Sequence, residues 1–333
     1  MNIEGFKKFG KERNYSDETI EEAIKIINDF NDFLKEEESE IDLANKDDVH
    51  LYADYLIDTG KNKKVTFYAL IRYCYFSGNN EMLIALYELL DGSDVLENLA
   101  KELFEVIGEE RGKEILNGID FPALGTLAEN KPVITKQVID RLAENLDEKT
   151  CHKILVSNLH GIPKESYKGQ REKFLKAANV DEYLKERHES FIKTLEKHRD
   201  EQTLFYTQEV DDEVVDYIRG NPKIEGGLRK GNIVFVEKIP YMTKKFLSET
   251  DVRMKQYYYC HCSWVREALK SGVVMVSPKF CKCSAGYYKN QWDVILDQPV
   301  DVEVIETILD GNERCLFAIH IPEEVVKKAE LNK

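Results

Sequence analysis

The densest run of potentially reactive side chains lies between Tyr257 and Lys289. The stretch opens as YYYCHCSWVRE and closes as FCKCSAGYYK. It holds four of the chain's seven cysteines, Cys260, Cys262, Cys281 and Cys283, as two Cys-x-Cys pairs with His261 inside the first. Thiolates and imidazole are ligands for zinc, and four of them complete a tetrahedral shell. The spacing adds a constraint. On a regular strand the two side chains of Cys-x-Cys share a face but lie roughly 6.8 Å apart, too far for one ion. The motif therefore calls for bends or strand ends, or for fewer than four ligands. Zinc is the expected cofactor, with Cys260, Cys262, Cys281, Cys283 and His261 as candidate ligands and Cys315 as a further one. Thiol chemistry is the alternative, because Arg266, Lys289 or His261 beside a thiol would favour its nucleophilic form. Two neighbouring pairs can also cycle between dithiol and disulfide. The plainest account is a set of cysteines buried in a β core.

Rings and fixed charge surround these cysteines. Tyr258, Trp264 and Tyr288 can wall an apolar pocket, while Arg266 and Lys289 follow the two pairs at matching offsets. An apolar pocket with a few convergent polar groups is the usual small-molecule site. Arginine suits a carboxylate, which it binds through two donors. The expected ligand is thus a small carboxylated molecule, with Arg266, Lys289, Tyr258, Trp264 and Tyr288 in its wall. The bland account makes the rings core residues and the two cations solvated charges.

The rest of the chain must position this stretch. Its 333 residues suffice for two or three domains, and 42% hydrophobic with 33% charged residues describes a globular chain. A formal charge of −15 argues against tracking a phosphate backbone or an anionic membrane. The opening MNIEGFKKFG lacks the apolar segment of a signal peptide. A cytoplasmic location is expected, and with it reduced cysteines.

Residues 1–92 read as a helical bundle. Ser16 caps a helix carrying Ile20, Ile24, Ile27, Phe30 and Leu34, and three shorter helices follow through Val49–Leu56, Val65–Phe76 and Met82–Leu89. Residues 93–200 continue helical, with Thr135 and Asp147 as caps and a charged helix over Asp181–Arg199. His160, before Gly161, reads as a helix-end residue. From 201 the period changes. Strands are expected at Asn232–Ile239, Val273–Ser277, Asp301–Leu309 and Cys315–Ile321, with a turn at Asp310-Gly311-Asn312 and a helix over Ser284–Leu296. The fold class is α+β: a helical N-terminal half, and an antiparallel-sheet ligand-binding and metal-binding domain over 201–333.

Two resemblances follow. The segments NYSDETIEEAIKIINDFNDFL, DLANKDDVHLYADYL and VTFYALIRYCYFSGNNEM resemble the SAM-like, core-binding domain of phage-type integrases. That implies a four-helix bundle and a DNA-clamping role. The acidity of these helices points instead to packing or dimer contacts. The run FCKCSAGYYKNQWDVILDQPVDVEVIETILDGNERCLFAIHIP resembles the end of 4-vinyl-reductase-type domains and of L-2-amino-thiazoline-4-carboxylate-hydrolase-like proteins. Its hairpin, Val302 through Ile319, includes Gly311, Cys315 and Phe317. The resemblance implies that Cys315 and Glu306 hold zinc, with Thr307 where some members carry cysteine. The expected function is recognition or conversion of a small carboxylated molecule in a zinc-containing domain. A metal-dependent hydrolase or lyase, a sensor with a structural metal, a thiol-based redox protein and a DNA-binding adaptor are the alternatives.

Overall fold

The computed structural model describes residues 2–330. The chain divides into two compact units, 1–93 with 122–131, and 94–121 with 132–333.

The first unit is helical. It contains α1 (Ile3–Glu12), α2 (Asp17–Glu36), α3 (Lys46–Asp58), α4 (Lys64–Ser77) and α5 (Asn80–Leu90). Local signals start and stop these helices. The Ser16 hydroxyl accepts from Thr19 N–H, Asn45 and Asp48 close a capping box on α3, and Gly78 ends α4 in the left-handed region. The sequence-derived bundle began at Ser16 and lacked α1. That helix buries Phe6, which meets the Tyr73 and Phe76 rings. Phe30, Leu34, Leu56 and Phe67 form the floor of this core, each at 1% exposure or less. Segment 122–131 belongs here too, with Asn62 Nδ2 donating to Leu124 O at 3.0 Å.

The second unit opens with α6 (Val95–Ile107), α7 (Glu109–Leu116), α8 (Lys131–Asn145) and α9 (Glu148–Leu155). Gly112 does not break α7, because the absent Cβ leaves room for the Phe104 ring. Thr135 is not a cap. The helix starts at Lys131 with Pro132 in its first turn, where proline loses no bond. Thr135 is buried inside it and donates to Trp264 O at 3.0 Å. Asp147 does cap α9. Three helices follow: α10 (Lys168–Lys176), α11 (Val180–Asp200) and α12 (Asp212–Arg219).

The sheet has four antiparallel strands in the order β1-β2-β4-β3: β1 (Leu228–Lys230), β2 (Ile233–Glu237), β3 (Asp301–Glu306) and β4 (Leu316–His320). Phe235 pairs with Ala318 and Val304 with Phe317, and a register shift separates Val304 from Glu306. Between β2 and β3 lie α13 (Thr243–Ser248), α14 (Val252–Tyr259), α15 (Arg266–Ser271) and α16 (Lys282–Leu296), and α17 (Glu323–Glu330) follows β4. Helix α16 packs across one face of the sheet, with Ala285, Trp292 and Ile295 in one core with Val234, Val302, Phe317 and Ile319. The expected strand Val273–Ser277 does not form. Gly272 turns the chain out of α15 at positive φ, and Val273 and Met275 are exposed with no strand beside them. The architecture is α+β, with the helical half first. Among the described residues, no helix is long and apolar enough to cross a membrane.

Candidate functional site

The cysteine-bearing segments are bends and helix ends, not strands. Cys260 is the residue after α14, and its N–H still bonds Gln256 O. Cys262 sits in the turn that launches α15, its carbonyl accepting from Val265 and Arg266 N–H. Cys281 ends a short 3₁₀ turn, Pro278–Cys281, and Cys283 lies in the first turn of α16. Cys315 immediately precedes β4. These five thiols gather. Cys262 is influenced by Cys260 and Cys283, and Cys281 by Cys315, Cys260 and Cys262. All are free thiols.

At their centre stands a residue the sequence analysis passed over, Lys238, directly after β2. Its charge reaches Cys262, Cys283, Cys315, His160 and His261. Its Nζ donates to Ser284 Oγ at 2.9 Å, and its N–H to Cys315 O at 3.1 Å. Among the described residues no carboxylate lies within ion-pair distance of it; the adjacent Glu237 pairs with Arg314.

Burial sets the electrostatics. It pushes Cys283 up to about 12 and Cys315 up to about 11, with Cys262 and Cys281 also raised well above the ordinary thiol. It pushes His160 down to about 4 and His261 down to about 3, Lys238 adding to both shifts. At neutral pH these shifts keep the four thiols and both imidazoles neutral. Donors on sulfur oppose the trend only in part: the Trp264 N–H on Cys262, the Thr307 side chain on Cys281 and the Ile308 N–H on Cys315.

His160 was read as a helix-end residue. It lies instead with Nε2 3.4 Å from Cys283 Sγ, its ring edge-on to Tyr287. The close approach of its loop to α16 depends on Gly286, where a Cβ would fall 2.5 Å from Ser157 O. Cys262, Cys281, His261 and Tyr288 are each half-buried.

The metal expectation meets a geometric obstacle. Among the described residues, no three His, Cys, Asp or Glu side chains are placed to hold one ion. His261 Nε2 is taken by Ile239 O. Glu306 is gripped by both arms of Arg314, at 2.8 and 2.9 Å. Cys260, Cys262, Cys281, Cys283 and Cys315 are neighbours without converging on one point.

The expected pocket wall is redistributed. Arg266 is not a solvated charge. It is 1% exposed, and its guanidinium lies 4.0 Å from the Tyr241 ring centroid and 5.8 Å from that of Tyr257. Lys289 pairs with Asp293 one turn on, at 2.8 Å, and Asp293 also accepts from Val300 N–H. Lys289 is therefore a clasp on α16. Trp264 is a core residue beside Leu99 and Val138. Tyr258 packs with Phe246 and Ile308. Tyr288 packs against the sheet core, its ring 5.0 Å from that of Phe317 between centroids. The missed Lys238 left one trace in the sequence: Glu237-Lys238 interrupts an apolar run from Ile233 to Ile239.

A family of unknown function, DUF6144, matches residues 237–327, a stretch that contains Lys238 and all five gathered thiols. No curated protein and no solved structure matches the chain.

Proposed function

We propose that the second unit is a small-molecule-binding module whose ligand carries an acidic group held by Lys238. One observation carries this: a half-buried Lys238 side chain with a single hydroxyl partner and no counter-ion among the described residues. An anion arriving at such a cation gains a charge-assisted bond. The surrounding thiols and rings supply a polarisable, largely uncharged wall, as in other ligand cavities. The ionic anchor expected at Arg266 and Lys289 thereby moves to Lys238, which bonds Ser284 and whose charge reaches Cys262, Cys283 and Cys315. Recognition fits better than thiol catalysis. Neutral Cys283 beside neutral His160 is a resting pair, not an activated nucleophile.

The test is a thermal-shift and calorimetric screen of small carboxylates on the full chain, repeated on Lys238→Met. Carboxylates that stabilise the wild type should lose about tenfold or more in affinity on the variant, the worth of one charge-assisted hydrogen bond. Equal binding to both proteins, or stabilisation by zinc but by no carboxylate, overturns the proposal.

A further inference from the structure

The polar face of α16 continues past Lys238. Ser284, Tyr288 and Gln291 stand at i, i+4 and i+7 and so share one side of the helix. Ser284 accepts from Lys238, and Gln291 Oε1 accepts from Arg187 Nη2 at 3.1 Å. Between them stands Tyr288, which Glu225, Arg187 and Cys315 all influence. Seven residues of helix at 1.5 Å each separate the two acceptors by about 10 Å. This face of α16 thus meets a cation near each end, Lys238 at Ser284 and Arg187 at Gln291.

Arg187 is itself a buried cation, its side chain 9% exposed. Its Nη2 is shared between Gln291 and Glu225, each at 3.1 Å, while its Nε finds no hydrogen-bond partner among the described residues. A buried donor without a partner is uncommon. Its carboxylate partner is the replaceable kind: the Glu225 side chain is 41% exposed, on a residue at φ 60° beside Gly226-Gly227. Tyr287, on the same flank of α16, is influenced by Glu225, Tyr167 and Arg187 together, which closes this end with hydroxyls.

Taking the Lys238 anchor as given, we infer that the ligand is an elongated diacid. One acidic group sits at Lys238. The other takes Arg187, completing its fork and displacing Glu225. An apolar middle lies along Tyr288 and the sulfurs. Arginine's planar fork matches a carboxylate through two parallel bonds, which the shared Nη2 alone does not supply.

The experiment uses the full chain and a graded series of α,ω-dicarboxylates from malonate to sebacate, each with a monocarboxylate of equal length. The wild type should prefer the members whose acid groups reach about 10 Å apart, by about tenfold over the matched monoacid. Arg187→Met should bring diacids down to the monoacid level and leave monoacids unchanged. Glu225→Gln removes the competing charge and keeps a partner for the guanidinium. It should tighten the long diacids several-fold and nothing else. Monoacids that bind through Lys238, with no advantage for a diacid of any length, overturn this inference and leave the single-anchor proposal standing. If no acid of either series binds the wild type, the proposal at Lys238 falls and this one with it.

Discussion

The two units solve the burial problem in opposite ways. The first fills its centre with hydrocarbon: Phe30 against Tyr52, Phe6 between Tyr73 and Phe76, and Leu34, Leu56 and Phe67 beneath them. Its buried polar residues are few and local, such as Asp48 closing the capping box of α3. The second holds thiols, the His160, His188 and His261 imidazoles and Lys238 buried or half-buried beside its apolar core, with the Arg187 and Arg266 side chains buried. Polar groups withdrawn from water cost stability unless partnered. The contrast separates a unit filled with hydrocarbon from one that carries thiols and ionic groups into its interior.

The largest expected effect breaks the comparison directly. Phe30→Ala should cost the first unit about 3–5 kcal/mol, the usual toll for an emptied aromatic site. Both tryptophans, Trp264 and Trp292, are buried in the second unit. Circular dichroism should show an early helical loss while tryptophan fluorescence reports an unshifted transition. A fluorescence transition that moves by the same amount would mean that the units unfold as one.

Acid should act on the second unit. His160 has an ordinary value of 6.5 and is held at about 4 in the fold. Its neutral form is favoured there, so its contribution is intact above pH 6.5 and is lost as pH falls towards 4. The loss is about 3 kcal/mol by linkage. The tryptophan-reported stability should drop across that window, and His160→Phe should flatten part of the slope. An unchanged slope in the variant would remove His160 from the buried set. Alkali acts with the opposite sign on the thiols. Cys283 and Cys315 are raised to about 12 and about 11, so their contribution is whole below the ordinary thiol value of 9.0 and disappears as pH climbs through the folded values.

Smaller effects sharpen the picture. Gly286→Ala drives a methyl against Ser157 O and should cost about 1–3 kcal/mol, with His160 displaced from Cys283. A wild-type melting point in that variant would show that the loop yields freely. Lys238→Met should change stability by less than about 1 kcal/mol, or raise it, while weakening acid binding about tenfold or more. Lys289→Met should lose only the worth of a helix-surface pair, about 0.3–0.5 kcal/mol, and leave binding untouched. Loss of binding in the last variant would return the anion to the place first expected for it.

The helices were legible because their signals are local. Ser16, Asp147 and the apolar spacing of α2 through α5 act within one or two turns. The hairpin at Gly311 announced itself in the same way, although the strands are shorter than the apolar runs suggested. What failed was what depends on distant partners. Val273–Ser277 has strand composition but no neighbour to pair with. Arg266 and Lys289 stand at equal offsets in the sequence, yet one is enclosed between tyrosine rings and the other clasps Asp293. The same limit hid Lys238, Arg187 and His160. Their role comes from α16 lying across the sheet, a contact between segments more than forty residues apart in sequence.

The order β1-β2-β4-β3 leaves two strand edges facing outward, and both are poor templates. β1 is three residues long and ends on exposed Lys230. β3 carries exposed Asp301 and Glu303, and its hydrogen-bond ladder is interrupted by the register shift between Val304 and Glu306. A β-strand from a second molecule would meet charge and a broken row of donors at one margin and almost no length at the other. The sheet beneath α16 is thereby guarded against edge-to-edge fibril growth, even at concentrations where an unguarded β-rich surface would recruit its own copies.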